Sequence, residues 1–229
     1  MGGGGVNRNL IINGAMNVAQ RGTSSTGIGA SSGYFTCDRW KITTGNTAGR
    51  LTMTQDSSAP SGTGLANSIK LDCTTADTSI AADELTIIGQ SIEGQNLQTV
   101  QKGTSSAVPI TVSFYAKANA SATYVAELFD HDNSRHINKS YTISSADTWE
   151  KKTITIDGDT ATAFDNSTAA DLSLYFWLAA GSNYSGGTLN TSWNSSTNAN
   201  RAAGLVNLAD STSNDWYITG IQLEVGDNA

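Results

Sequence analysis

The sequence predicts an all-β chain folded as an antiparallel sandwich, and three observations carry that prediction. Apolar and polar residues alternate with period two along most of the chain, while long stretches at the helical period of 3.6 are scarce. The alternating runs close on Gly, Asn, Asp, Ser or Pro, the residues that make turns. Hydrophobic residues make up 38% of the chain and charged residues only 14%, so Ser, Thr, Asn and Gly supply most of the polarity. That balance suits half-buried sheets, where Thr packs on a pleated face and tolerates water. A disordered chain would carry less apolar content and more charge.

The elements follow in order. Met1 and four glycines read as a flexible tether over residues 1–8, with neither the charged nor the apolar region of a signal peptide. Residues 9–226 read as a single sandwich, because no Pro-rich linker divides them. Leu10 and Ile12 begin the first strand, closed by Asn13-Gly14. Residues 21–33, rich in Ser, Thr and Gly, read as a surface loop. Trp40 with Ile42, Leu51 with Met53, and Ile69 with Leu71 and Cys73 mark further strands. Cys37 and Cys73 are the two cysteines, and their spacing matches no metal motif. The phase of Cys73 makes it a small core residue, which favours two buried free thiols over the alternative of a disulfide between them, and free thiols fit assembly in a reducing cytosol. A short helix-like window at 82–88 reads equally well as strand.

The second half alternates more clearly. Ile110, Val112, Phe114 and Ala116 share one face. Residues 124–129 break at Asp130-His131-Asp132-Asn133, a hairpin turn, and 139–143 return. Residues 149–156 turn Ile154 and Ile156 inward, and Trp149 caps the sandwich end. Leu172, Leu174, Phe176 and Leu178 alternate with Ser173, Tyr175 and Trp177. The last strand changes phase: Trp216 and Ile218 have one parity, Ile221, Leu223 and Val225 the other. A bulge near Thr219-Gly220 reconciles them. Between the last two strands, 181–215 is a long loop with little apolar content, and a structureless loop of that length is unusual without a function.

Composition and motifs exclude several functions. The net charge is −7 and the 13 basic residues are scattered, which argues against nucleic acid and anionic membrane surfaces as partners. No apolar run approaches the roughly 20 residues that membrane insertion requires. No nucleophile elbow, phosphate loop, dinucleotide fingerprint or zincin helix is present, and Glu93, Glu127, Glu150 and Glu224 do not announce an acid–base pair. The expectation is no catalytic residue and no enzyme. His131 and His136, with Asp130 or Asp132, fall short of a metal-ligand set and read as a solvated hairpin end. Asp157, Asp159 and Asp165-Asn166 are oxygen-rich turns that would need further ligands to hold Ca²⁺. No metal or cofactor is expected, with Ca²⁺ at such turns as the alternative.

Aromatic residues remain. Trp40 and Trp216 fall in strand patterns and read as core. Trp193 lies among Ser, Thr and Asn on the long loop, where a ring makes a platform for a sugar face. Tyr184 with Asn183, and Arg201 with Asn198, would bond its hydroxyls. The competing role for Trp193 is to anchor the loop or to pack against a neighbouring subunit.

Two resemblances extend this reading. The opening Asn9-Leu10-Ile11-Ile12-Asn13-Gly14 and the closing residues 216–224 resemble the first and last strands of jelly-roll carbohydrate-binding modules related to families 4 and 9. Residues 110–117 and the Trp-led 149–156 resemble strands between them. The acidic positions that help such modules hold Ca²⁺ correspond here to Ala15-Met16-Asn17 and Thr219-Gly220, so the resemblance carries no ion over. Residues 13–22, Cys37-Asp38-Arg39-Trp40, residues 90–97 and residues 221–226 are similar to virion proteins of tailed phages. That likeness implies a virion surface protein (tail fibre, head fibre or capsid decoration), assembled in the host cytoplasm. It also implies a homotrimer contacting other virion proteins and host-surface glycans. The alternatives are a purely structural capsid-stabilising protein, a secreted carbohydrate-binding module and a depolymerase.

Overall fold

Alternation in the sequence becomes two sheets closed on one apolar layer. The computed structural model describes residues 9–229. The Gly-rich tether expected at 1–8 lies outside the described residues. In chain order the strands are β1 (Ser24–Ile28), β2 (Gly33–Tyr34), β3 (Lys41–Gly45), β4 (Arg50–Asp56), β5 (Ser68–Thr75), β6 (Leu85–Glu93), β7 (Ile110–Ala118), β8 (Ala122–Asp130), β9 (Arg135–Ile143), β10 (Glu150–Ile156), β11 (Ala170–Ala180), β12 (Asn194–Ser195) and β13 (Asp215–Val225). One sheet runs β1-β4-β5-β13-β7-β10 and the other β12-β9-β8-β11-β6-β3-β2. The strand pairs are antiparallel, and the architecture is a jelly-roll β-sandwich.

The inner faces carry the residues that the alternation assigned to them. Phe114 of β7 meets Phe176 of β11 edge-on across the sandwich at 5.0 Å between ring centres, and Tyr141 of β9 at 4.9 Å. Trp216 lies 6.2 Å from Phe176, so aromatic rings from both sheets fill the middle of the core. Trp40 and Trp216 are fully buried. Truncating such a ring to Ala costs on the order of 3–5 kcal/mol, because the surroundings collapse only partly into the void. The phase change in β13 is a bulge between Thr219 and Gln222, with Gly220 at φ 62°, a conformation glycine adopts without a steric cost. Cys37 and Cys73 are buried and unpaired.

Three expectations are corrected, for Leu10 and Ile12, for residues 21–33 and for Trp149 as an end cap, and the choice left open at 82–88 is decided. Leu10 and Ile12 do not begin a strand: Asn9 makes a lone bridge to Glu224, and the Leu10 N–H donates to the Leu223 carbonyl at 2.8 Å. Beyond that point the Gln90 side chain takes both backbone groups of Ile12, at 2.7 and 2.8 Å, in place of a partner strand. Ile11 consequently points into the core and Ile12 is 54% exposed. Residues 21–33 are not all loop. Ser24–Ile28 form the edge strand β1, whose one deeply buried residue is Ile28, so the small polar residues around it suffice. The 82–88 window belongs to strand β6 from Leu85 onward. Trp149 lies against Tyr217 and Lys117, residues on the outer side of the first sheet.

Two buried carboxyls are poorly compensated. Glu84 is 6% exposed, and burial together with neighbouring Asp77 pushes its pKa up to about 7. Burial, with Asp165 and Asp132 nearby, pushes Asp171 up to about 6. Both bind a proton more tightly in the folded chain than in the unfolded one. Their contribution to stability is therefore present at low pH and lost as pH rises through about 6 to 7. The melting temperature should fall between about pH 5.5 and pH 8, and Glu84→Gln should raise it at pH 8 and flatten the slope. Calorimetry across that range checks both.

Candidate functional site

The pairing register defines the outer face of the second sheet row by row. One row runs Asn138 (β9), Glu127 (β8), Tyr175 (β11), Gly89 (β6), Lys41 (β3) and Tyr34 (β2). The rows on either side carry His136, Phe129, Ser173 and Ser91, and Val125, Trp177 and Ile87. The long loop covers part of this face. It contains the short helix α1 (Ser182–Ser185), β12 and turns, and its Tyr184, Leu189, Ala202 and Leu205 pack on Val125, Trp177 and Ile87.

A buried carboxylate holds the loop down. The Glu127 side chain is 0% exposed and receives Arg201 Nε at 2.8 Å, Arg201 Nη2 at 2.9 Å, Trp177 Nε1 at 2.8 Å and His136 Nδ1 at 3.0 Å. Burial pushes this carboxyl up, but the donors from His136, Arg201 and Trp177 outweigh it and hold its pKa below the ordinary value. The Arg201 guanidinium also lies over the rings of Phe129 and Trp177, at 4.7 and 5.0 Å. Asn190 on the loop reaches His136 Nε2 at 2.6 Å, so both ring nitrogens are bonded, one to the loop and one to Glu127. With its oxygens committed in this way, Glu127 is structural and not a free acid or base.

Beside the loop the face is open. Tyr175 is half-buried and lies on Gly89, where a Cβ would come within 2.4 Å of its ring. The bare glycine backbone gives the ring its seat. His131 Nε2 bonds Ser173 Oγ at 2.8 Å and approaches the Tyr175 hydroxyl at 3.3 Å, and Ser173 passes on to Ser91 at 2.8 Å. Lys41, Ser91 and Tyr34 are exposed along the same surface, with Arg21 over the Tyr34 ring at 5.5 Å. The result is an aromatic floor edged by hydroxyl, imidazole and cationic groups.

The five loop residues singled out from sequence divide. Tyr184 and Arg201 come together against Trp177, with ring centres 5.7 Å apart for Tyr184 and Trp177. Asn183 and Asn198 are exposed on the same loop. Trp193 packs against the main core instead, its indole N–H donating to the Asp157 carbonyl at 2.9 Å, with Lys102 over its ring at 5.6 Å. Its N–H is committed to anchoring. His131 is exposed at the hairpin turn, whereas His136 is fully buried beneath the loop. Tyr175, Phe129 and Gly89 were not singled out. The signals for them were an aromatic at an outward position of β11 and a glycine inside an apolar strand.

The acidic turns have partners of their own. Asp159 takes Arg135 at 2.7 Å and Lys102 at 3.2 Å, and Lys102, with its side chain 2% exposed, also meets Asp130 at 2.6 Å and the Thr162 carbonyl at 2.7 Å. Among the described residues no three His, Cys, Asp or Glu side chains gather to hold a metal.

No family model and no curated protein matches the chain. Solved structures do. A candidate sugar-binding protein from Bacteroides thetaiotaomicron VPI-5482 aligns over 95% of this chain and 99% of its own, at TM-score 0.51 and 15% identity. A carbohydrate-binding module of family 4 aligns over 94% and 99%, at TM-score 0.47 and 12% identity. The enzymatically active domain of bacteriophage CBA120 tailspike protein 4 aligns over 95% of this chain at TM-score 0.46 and 11% identity, and the chain spans 21% of its length. At these identities the likeness is one of fold.

Arg201→Ala should cost about 3–5 kcal/mol, because it strands a buried carboxylate. Urea unfolding should show the loss, and limited proteolysis should find new cleavage sites within 181–206.

Proposed function

We propose that this chain is a non-catalytic glycan-binding protein of a virion surface, and that its glycan lies on the open outer face of the second sheet. The carrying observation is Tyr175, held flat by Gly89 and flanked by His131 and the Arg201 wall. An aromatic ring offers an apolar surface to the C–H face of a pyranose, and a few fixed polar groups then orient its hydroxyls. His131, Ser91 and Lys41 are those groups, with Tyr184, Asn183 and Asn198 on the loop above. The fold likeness to a candidate sugar-binding protein supports the same reading.

One aromatic ring with a few polar groups binds a single sugar weakly, so the useful affinity comes from several copies presented together. A homotrimer carried on a fibre or capsid, assembled in the host cytoplasm beside other virion proteins, supplies that multiplicity. The sequence likeness to virion proteins of tailed phages supports this part of the proposal. Glu127, the carboxylate nearest the floor by register, is bound to Arg201, Trp177 and His136, in keeping with a site that binds without cleaving.

A glycan array should return a defined ligand set for the purified protein. Tyr175→Ala should weaken the best ligand about tenfold or more, whereas Tyr175→Phe should keep most of the binding. Trp193→Ala should lower the melting temperature and leave binding in place. Binding that survives Tyr175→Ala unchanged removes the face from consideration, and a sedimentation mass other than a trimer removes the proposed assembly.

A further inference from the structure

The opposite side of the sandwich carries a second cleft. It is a cavity of about 710 Å³ on the outer face of the first sheet, between residues 9–18, the loop at 62–65 and strands β7, β10 and β13. That volume lies in the range of small-molecule sites, roughly 300–1,000 Å³. Its construction follows from the bulge. Gly220 carries no side chain, and a Cβ there would stand 2.8 Å from Leu65 and 3.1 Å from the Tyr115 ring. Leu65 and Tyr115 therefore close over bare backbone and leave the space beside them open.

The lining is one-sided in its chemistry. Ser113 donates to the Gln222 side-chain amide oxygen at 3.3 Å, leaving the Gln222 NH₂ group without a partner among the described residues. Asn67 donates to the Asn17 oxygen at 3.0 Å, leaving the Asn17 NH₂ group in the same position. The Tyr115 hydroxyl and the exposed Lys151 ammonium complete a set of four donors. Although the chain carries 20 Asp and Glu, none is among the residues that line this cleft.

We propose that this cleft is a second binding site, and that its ligand is an acidic sugar, a uronate or related carboxylated pyranose. The amide and hydroxyl donors meet ring oxygens and hydroxyls, Tyr115 covers a C–H face, and Lys151 pairs with the carboxylate. This inference uses none of the residues of the Tyr175 face, so either site can fail without the other.

Calorimetric titration of the full chain with a galacturonic acid oligomer and with the matching neutral galactose oligomer tests it. The acidic oligomer should bind, and the neutral one should bind about tenfold more weakly or less. Lys151→Glu and Gln222→Ala, both at exposed positions, should each remove about tenfold of the acidic affinity, and Tyr175→Ala should leave it unchanged. No heat with the acidic oligomer overturns the proposal. So does acidic binding that is lost with Tyr175→Ala and kept in both cleft variants. Unchanged melting temperatures in the two cleft variants show that the losses come from the site.

Discussion

One buried carboxylate decides the shape of the outer face of the second sheet. Glu127 sits at 0% exposure with a guanidinium, an indole and an imidazole directed at it, and the guanidinium belongs to a residue 74 positions later in the chain. Moving a charge out of water costs several kcal/mol unless donors replace the lost hydration, and here they do. Because those donors include Arg201, satisfying the charge requires the long loop to lie over Val125 and Trp177. The loop in turn determines how much of the sheet stays open, and so where Tyr175 meets solvent. An apolar residue at 127 would pack as well on its own strand and would give Arg201 no reason to return to the sheet.

The parts of the fold that depend on side-chain parity were legible in the sequence. Leu172, Leu174, Phe176 and Leu178 point inward as their spacing says, and the two parities of β13 mark its bulge. Failures occurred where a side chain replaced backbone pairing. Gln90 captures Ile12 from 78 residues away, a contact that no local pattern encodes. β1 was missed because an edge strand buries little and can be written in Ser, Thr and Gly.

The site was legible in part, for similar reasons. Tyr184 and Arg201 lie at the sheet, while Trp193, the most conspicuous aromatic of the loop, spends its N–H on Asp157. Polar neighbours in sequence say that a ring is in a loop, not which way it faces. Gly89 could not be read as the seat of Tyr175 because its contribution is the absence of atoms under that ring.

At one end of the sandwich Lys102 and Arg135 are matched against Asp130 and Asp159. Such oxygen clusters are commonly neutralised by an ion recruited from the medium, whose occupancy follows its concentration. Here the positive charges are covalently part of the chain and cannot dissociate. The counter-charges of this corner are therefore present in fixed proportion to its carboxylates.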